Sequence, residues 1–154
     1  MEIIMKTTNT AASAAATQKD LSNIRFITVT ALFICAILFG KKSGAIAGGV
    51  GMGLFDLLSG WTAWAPFTFL IVGLMGFAVG AITEKHHGFW WNTLAIGVAC
   101  IIKVVGYYIA EGILYGNWIA PVASIPGNLV QIGVAAVIVL LIVGQLQKVV
   151  NKMM

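Results

Sequence analysis

The sequence predicts an all-α membrane protein, a bundle of five to six transmembrane helices. Two observations carry this expectation. First, 60% of the 154 residues are hydrophobic and only 9% are charged, with a mean hydropathy of +0.98. A soluble domain is about 45–50% apolar and about 25% charged. Second, apolar runs of membrane-spanning length alternate with short polar breaks from residue 24 onward. Five carboxylates and nine Lys/Arg are too few to cover a water-exposed surface or to build a basic face for nucleic acid. Eighteen glycines against three prolines, without a Gly-X-Y period, suit closely packed membrane helices.

Taken in order, residues 1–23 (MEIIMKTTNTAASAAATQKDLSN) are mostly small and polar and read as a flexible tail. Lys6 and the threonines interrupt the continuous apolar core that a secretory signal requires. Residues 24–154 then form one transmembrane domain. Segment one covers 26–40 and ends at Lys41-Lys42-Ser43; segment two covers 44–60. Segment three runs from Pro66 to Thr83 and ends at Glu84-Lys85-His86-His87; segment four covers 89–110. A loop from Tyr115 to Pro121 follows, and segment five runs from Pro126 to Gln147. A span takes about 20 residues, roughly 17–25. Segments three to five meet this, segment two sits at the lower edge, and segment one is short.

The loops predict the topology. Lys41 and Lys42 follow segment one, Lys85 follows segment three, and Lys148 and Lys152 follow segment five, whereas the loops after segments two and four hold no Lys or Arg. Lys/Arg-rich breaks stay in the cytoplasm. The expectation is a multi-pass cell-membrane protein with a cytoplasmic C-terminus and with the 60–65 and 112–125 loops outside. Five spans would put the N-terminus outside, yet Lys6, Lys19 and Arg25 flank the first span. An even number of spans would place those charges inside.

Small-xxx-small pairs at Gly44/Gly48, Gly49/Gly53 and Gly76/Gly80 let backbones approach closely. They read first as packing within the bundle and second as a docking face. Ionisable groups inside spans cost about 2.5–3.5 kcal/mol each on insertion scales, so Asp56, Lys103 and Glu111 need a reason. Lys103, Tyr107 and Glu111 recur every four residues and share a helix stripe. Asn128 and Gln131 share a face near the outer end of segment five. Trp61, Trp64, Tyr115, Asn117 and Trp118 occupy the outer loops, where an interfacial aromatic belt accounts for some of them. Lys103 is too deep to reach water; an ion pair to Asp56 or Glu111 and a ligand-facing charge are equally open. Pro66 and Pro126 suit first helical turns, and Ser124 suits a cap before Pro126. Free helix amides favour electron-rich ligand groups. Together these residues predict an outward-opening pocket for a small, flat, polar heterocycle.

Cys35 and Cys100 lie in apolar stretches without metal-type spacing and read as small buried hydrophobes. His86-His87 reads as a solvated turn. No phosphate-binding glycine loop, HExxH or nucleophile elbow is present, so an enzyme is not expected, nor a cofactor. Uphill transport would draw energy from other subunits.

Residues 38–51 (LFGKKSGAIAGGVG), 56–68 (DLLSGWTAWAPFT), 106–116 (GYYIAEGILYG) and 126–131 (PGNLVQ) together resemble the substrate-binding S components of energy-coupling factor (ECF) vitamin transporters. Within them the chain looks closest to the hydroxymethylpyrimidine, pyridoxine and riboflavin group, over roughly residues 34–150. The resemblance implies a six-helix bundle that captures a vitamin on its outer face. It also implies partnership with a membrane coupling subunit and two cytoplasmic ATPases. Compared with that pattern, residues 24–33 look like the start of a first helix and 34–40 like the end of a second, with the intervening material absent. The family's Ala-xxx-Ala docking motif has its nearest form at Ala31-xxx-Cys35. The expected pocket residues are Asp56, Trp64, Lys103, Tyr107, Glu111, Asn128 and Gln131, and the expected docking residues are Ala31 and Cys35. A ligand-free accessory or structural membrane subunit is the alternative. Stoichiometric vitamin retained through purification separates the two.

Overall fold

The computed structural model describes the backbone of residues 1–153, and every side chain in that stretch except those of residues 2, 4, 8, 9, 11, 15, 18 and 22. It is an all-α bundle: α1 Glu2–Leu58, α2 Ala65–Lys85, α3 Phe89–Tyr115, a 3-10 turn Ala120–Ser124, and α4 Ile125–Met153. All four helices are long and apolar enough to cross a membrane.

The first helix is two arms. At Gly40 the backbone takes φ 85° and ψ −175°, and the chain folds back on itself. Arg25 meets Asp56 at 3.5 Å across this hairpin. Further in, Gly48 lies against Leu32, and a methyl group on Gly44 would sit 2.5 Å from the Ala36 Cβ. The reversal therefore falls on Gly40, and Lys41–Ser43, expected as the break, form the first turn of the second arm. A positive φ is available to glycine at little cost. Glu84 does the rest. Its Oε1 accepts the Lys41 backbone N–H at 2.9 Å and its Oε2 lies 3.3 Å from Lys41 Nζ. A carboxylate at a helix N-terminus satisfies an orphan amide and complements the helix dipole.

The first arm is helical from Glu2, well before the expected start at residue 26. Alanine is the best helix former, and residues 11–16 read AASAAA. The threonines bond back to carbonyls one turn earlier, as in Thr7 to Ile3 and Thr10 to Lys6 at 2.8 Å.

Contacts run from α1 to α2, α2 to α3, α3 to α4 and α4 back to α1, closing a ring. The buried positions recur at helical spacing: Val29, Leu32, Phe33 and Ala36 in the first arm, and Ile132, Ala135, Val139 and Val143 in α4. Glycines set the closest approach. Gly76 packs on the Gly44 backbone and Gly80 on Lys41. The small-residue pairs thus serve packing within the bundle. Pro66 lies in the first turn of α2, and Gly116 closes α3 in the left-handed conformation at φ 63°, a common helix stop.

Candidate functional site

Polar side chains gather at the end of the bundle opposite Gly40. They line a cavity of about 390 Å³, within the usual range of about 300–1,000 Å³ for small-molecule sites. The two arms of α1 supply Arg25, Phe26, Met52 and Asp56, and the connection before α2 supplies Trp61 and Trp64. Thr68 comes from α2, and Lys103, Tyr107, Glu111 and Tyr115 from α3. Ser124, Gly127, Asn128 and Gln131 close the wall from the α4 side. All seven residues expected in a pocket line this one cavity.

Helical spacing explains the convergence. Lys103, Tyr107 and Glu111 are successive i, i+4 neighbours on α3, and Asn128 and Gln131 are i, i+3 neighbours on α4. The ring closure turns both faces inward. Asp56, Lys103 and Glu111 are 2%, 1% and 8% exposed, so each must be partnered within the protein or by a ligand.

The partners bear on the two readings of Lys103 that the sequence left open. Asp56 pairs with Arg25, whose guanidinium also lies 5.6 Å from the Phe55 ring and 5.9 Å from the Trp61 ring. Glu111 Oε2 accepts the Ser124 hydroxyl at 2.7 Å. Lys103 Nζ donates to the neutral Gln131 Oε1 at 2.6 Å and lies 5.5 Å from the Tyr107 ring centre. Among the described residues the ion pairs are Arg25–Asp56 and Lys41–Glu84, so Lys103 is not the counter-charge of Asp56 or Glu111. Arg25 took the acid because the hairpin brings it to the same level.

Aromatic rings frame the space. Trp64 stacks on Tyr107 with centroids 6.2 Å apart and planes at 28°, and meets Tyr115 edge-on at 5.8 Å. The Tyr107 hydroxyl donates to Thr68 Oγ1 at 3.3 Å. The arrangement offers ring faces, donors from α3 and α4, and carboxylate acceptors at Asp56 and Glu111: the equipment for holding a polar ring. Among the described residues no three His, Cys, Asp or Glu side chains gather to hold a metal ion. His86 lies outside the site and stacks on Trp91 at 4.0 Å.

Residues 8–148 match the ECF-type riboflavin transporter S component family. The chain belongs to this family. The S component is also similar to two curated proteins. It is 32% identical over 116 residues to the thiamine precursor transporter HmpT of Lactococcus lactis, covering 75% of this chain and 65% of that protein. It is 35% identical over 85 residues to an uncharacterized protein in a gap 3′ region of Pyrococcus woesei, covering 55% of this chain and 57% of that one. The S component therefore spans less than two thirds of the length of either relative.

Arg25, Thr68 and Ser124 join the S component's site without having been expected there. Arg25 reads in sequence as a flanking charge and Ser124 as a helix cap. The available signal was stoichiometric: a buried Asp56 requires a cation at its own depth, and Arg25 stands just ahead of the first apolar run. In the first arm Ala31 is exposed and Cys35, one turn on, is half-buried.

Proposed function

We propose that this S component is the substrate-capture subunit of an ECF-type importer, binding a small vitamin or precursor, hydroxymethylpyrimidine, pyridoxine or a similar ring. The observation that carries this reading is the convergence of Asp56, Trp64, Lys103, Tyr107, Glu111, Asn128 and Gln131 on one cavity. Trp64 and Tyr107 supply faces for a flat ring; Glu111 and Asn128 supply hydrogen bonds to its polar edge. The similarity to a thiamine precursor transporter supports a vitamin precursor as the ligand.

The cavity takes its ligand from outside the cell. Lys41, Lys42 and Lys85 lie at the opposite end, by Gly40, and α4 starts at the cavity and carries Lys148 and Lys152 away from it. The positive-inside tendency supports that orientation. Delivery requires a membrane coupling subunit and two ATPases, with the exposed Ala31 and neighbouring Cys35 face as the dock. Titration of purified protein with hydroxymethylpyrimidine, pyridoxine and riboflavin, followed by tryptophan fluorescence, tests the reading. Trp64 should report stoichiometric, saturable binding of one of them. No response to any of the three, with calorimetry equally silent, would overturn it.

A further inference from the structure

Lys103 is among the most buried polar groups lining the cavity, and its surroundings restrict what a ligand can present there. An ammonium has three N–H donors and no acceptor. One of the three goes to Gln131 Oε1 at 2.6 Å, and neither ion pair of the described residues involves Lys103. This bond also fixes the orientation of the Gln131 amide, because only its oxygen can accept from an ammonium. The amide NH2 is therefore turned away from Lys103. Its Nε2 is buried and has no hydrogen-bond partner among the described residues. Both residues line the cavity. At this point the wall offers the remaining Lys103 and Gln131 N–H donors, with the Gln131 oxygen already engaged by Lys103; the carboxylate acceptors, Asp56 and Glu111, belong to other parts of the lining.

We propose that Lys103 and Gln131 form a donor pair that reads an acceptor-only edge of the ligand, a ring nitrogen or carbonyl oxygen carrying no hydrogen. This rests on the reading of the cavity as a vitamin site and narrows its substrate class. A buried donor left unsatisfied costs free energy, and a site built around such a donor rejects analogues that lack its partner far more strongly than an apolar pocket rejects a change of size. A ligand that turns an N–H or O–H toward this pair leaves donors facing donors. An edge that offers two lone pairs, from a carbonyl oxygen or from two unprotonated acceptor atoms, satisfies both residues and keeps the ring faces for Trp64 and Tyr107. The Lys103–Gln131 bond links α3 to α4, so the pair also ties the ligand to the relative position of those two helices.

The test uses the full chain in detergent and three probes: hydroxymethylpyrimidine, pyridoxine and riboflavin. Calorimetry on the wild type identifies the tightest binder. That compound is then compared with analogues in which one hydrogen-free acceptor at a time is removed, a ring nitrogen replaced by C–H or a ring carbonyl by CH2. One such replacement should weaken wild-type binding about tenfold or more. Lys103→Met should weaken the parent compound to a similar degree and bind parent and analogue alike, because the group that distinguishes them is gone. Gln131→Glu keeps a partner for Lys103 and so preserves the fold, with a melting temperature no lower than wild type. It exchanges the amide donor for an acceptor, and the parent compound should bind about tenfold more weakly or worse. If Lys103→Met fails to fold, Gln131→Glu decides. Wild-type affinity in Gln131→Glu, or full discrimination between parent and analogues in Lys103→Met, would overturn the donor pair and leave the vitamin site standing. A wild type that binds none of the three probes overturns the vitamin reading itself, and does so before any variant is made.

Discussion

Glu111 and Asn128 allow a ligand contact to be separated from a structural one. Glu111 is buried, and its bond to Ser124 can be kept by a glutamine oxygen accepting the same hydroxyl. Glu111→Gln therefore removes charge from the site while leaving the α3 connection in place. Among the described residues the half-buried Asn128 side chain has no hydrogen-bond partner, so Asn128→Ala deletes an amide that the empty protein does not use. A hydrogen bond involving a charged group contributes about 1.5–3 kcal/mol, so Glu111→Gln should weaken the bound vitamin about tenfold or more. Asn128→Ala should lose about 0.5–1.5 kcal/mol of binding, the value of a neutral bond. Both should melt close to wild type without ligand. Fluorescence titration and thermal melting on the same preparations check this. Unchanged affinity in both variants would make the polar cluster structural.

At the scale of elements, the bundle depends on helices meeting backbone to backbone. A side chain at Gly76 would run into the Gly44 carbonyl, where no flexible group can move aside. Gly76→Val should separate the second arm of α1 from α2 and cost about 1–3 kcal/mol or more, as overpacking does. Gly97 has nothing within 4 Å of an added methyl, so Gly97→Ala should be neutral or slightly stabilising. A lower melting temperature in the first variant and none in the second is the expected pair of results. Much of this architecture was legible in advance: five apolar runs, their polar breaks, and the i, i+4 stripe of α3 follow from composition and spacing. The hairpin was less so. Lys41-Lys42-Ser43 reads as a loop because it is polar, but polarity does not reverse a chain. Reversal needed a positive φ at Gly40 and a carboxylate arriving from Glu84, 43 residues away, and no local pattern announces the second. The same holds at the site. Lys103, Glu111 and Gln131 stand out as polar groups in apolar runs, whereas Arg25 becomes a cavity residue only once the hairpin closes. Which face of each helix points inward was also hidden, since lipid and core are both apolar: Leu141 is 75% exposed while Val139 is fully buried.

Across the whole molecule, the two ends of the ring carry different chemistry, and this supports the proposed orientation in the membrane. The Gly40 end holds Lys41, Lys42 and Lys85 and receives the C-terminal turns with Lys148 and Lys152. The cavity end holds Arg25, but that charge is committed to Asp56 and does not act as a free cytoplasmic anchor. Removing it from the tally resolves much of the conflict posed by the N-terminal flank, leaving Lys6 and Lys19 against the five lysines of the other end. The positive-inside tendency then favours the proposed orientation, with the cavity outward. Single cysteines in a Cys35→Ala, Cys100→Ala background can read this out on intact cells with a membrane-impermeant maleimide. Thr62 and Ala120 are exposed at the cavity end and His87 is exposed at the other; Gly116 is avoided because its left-handed backbone would strain any replacement. Cysteines at 62 and 120 should label from outside, and the one at 87 only after the cells are opened. The reverse pattern would turn the cavity toward the cytoplasm. A subunit so oriented could not capture a vitamin for import, because the ligand would have to cross the membrane before reaching Lys103 and Glu111. The orientation and the proposed function therefore stand or fall on the same labelling result.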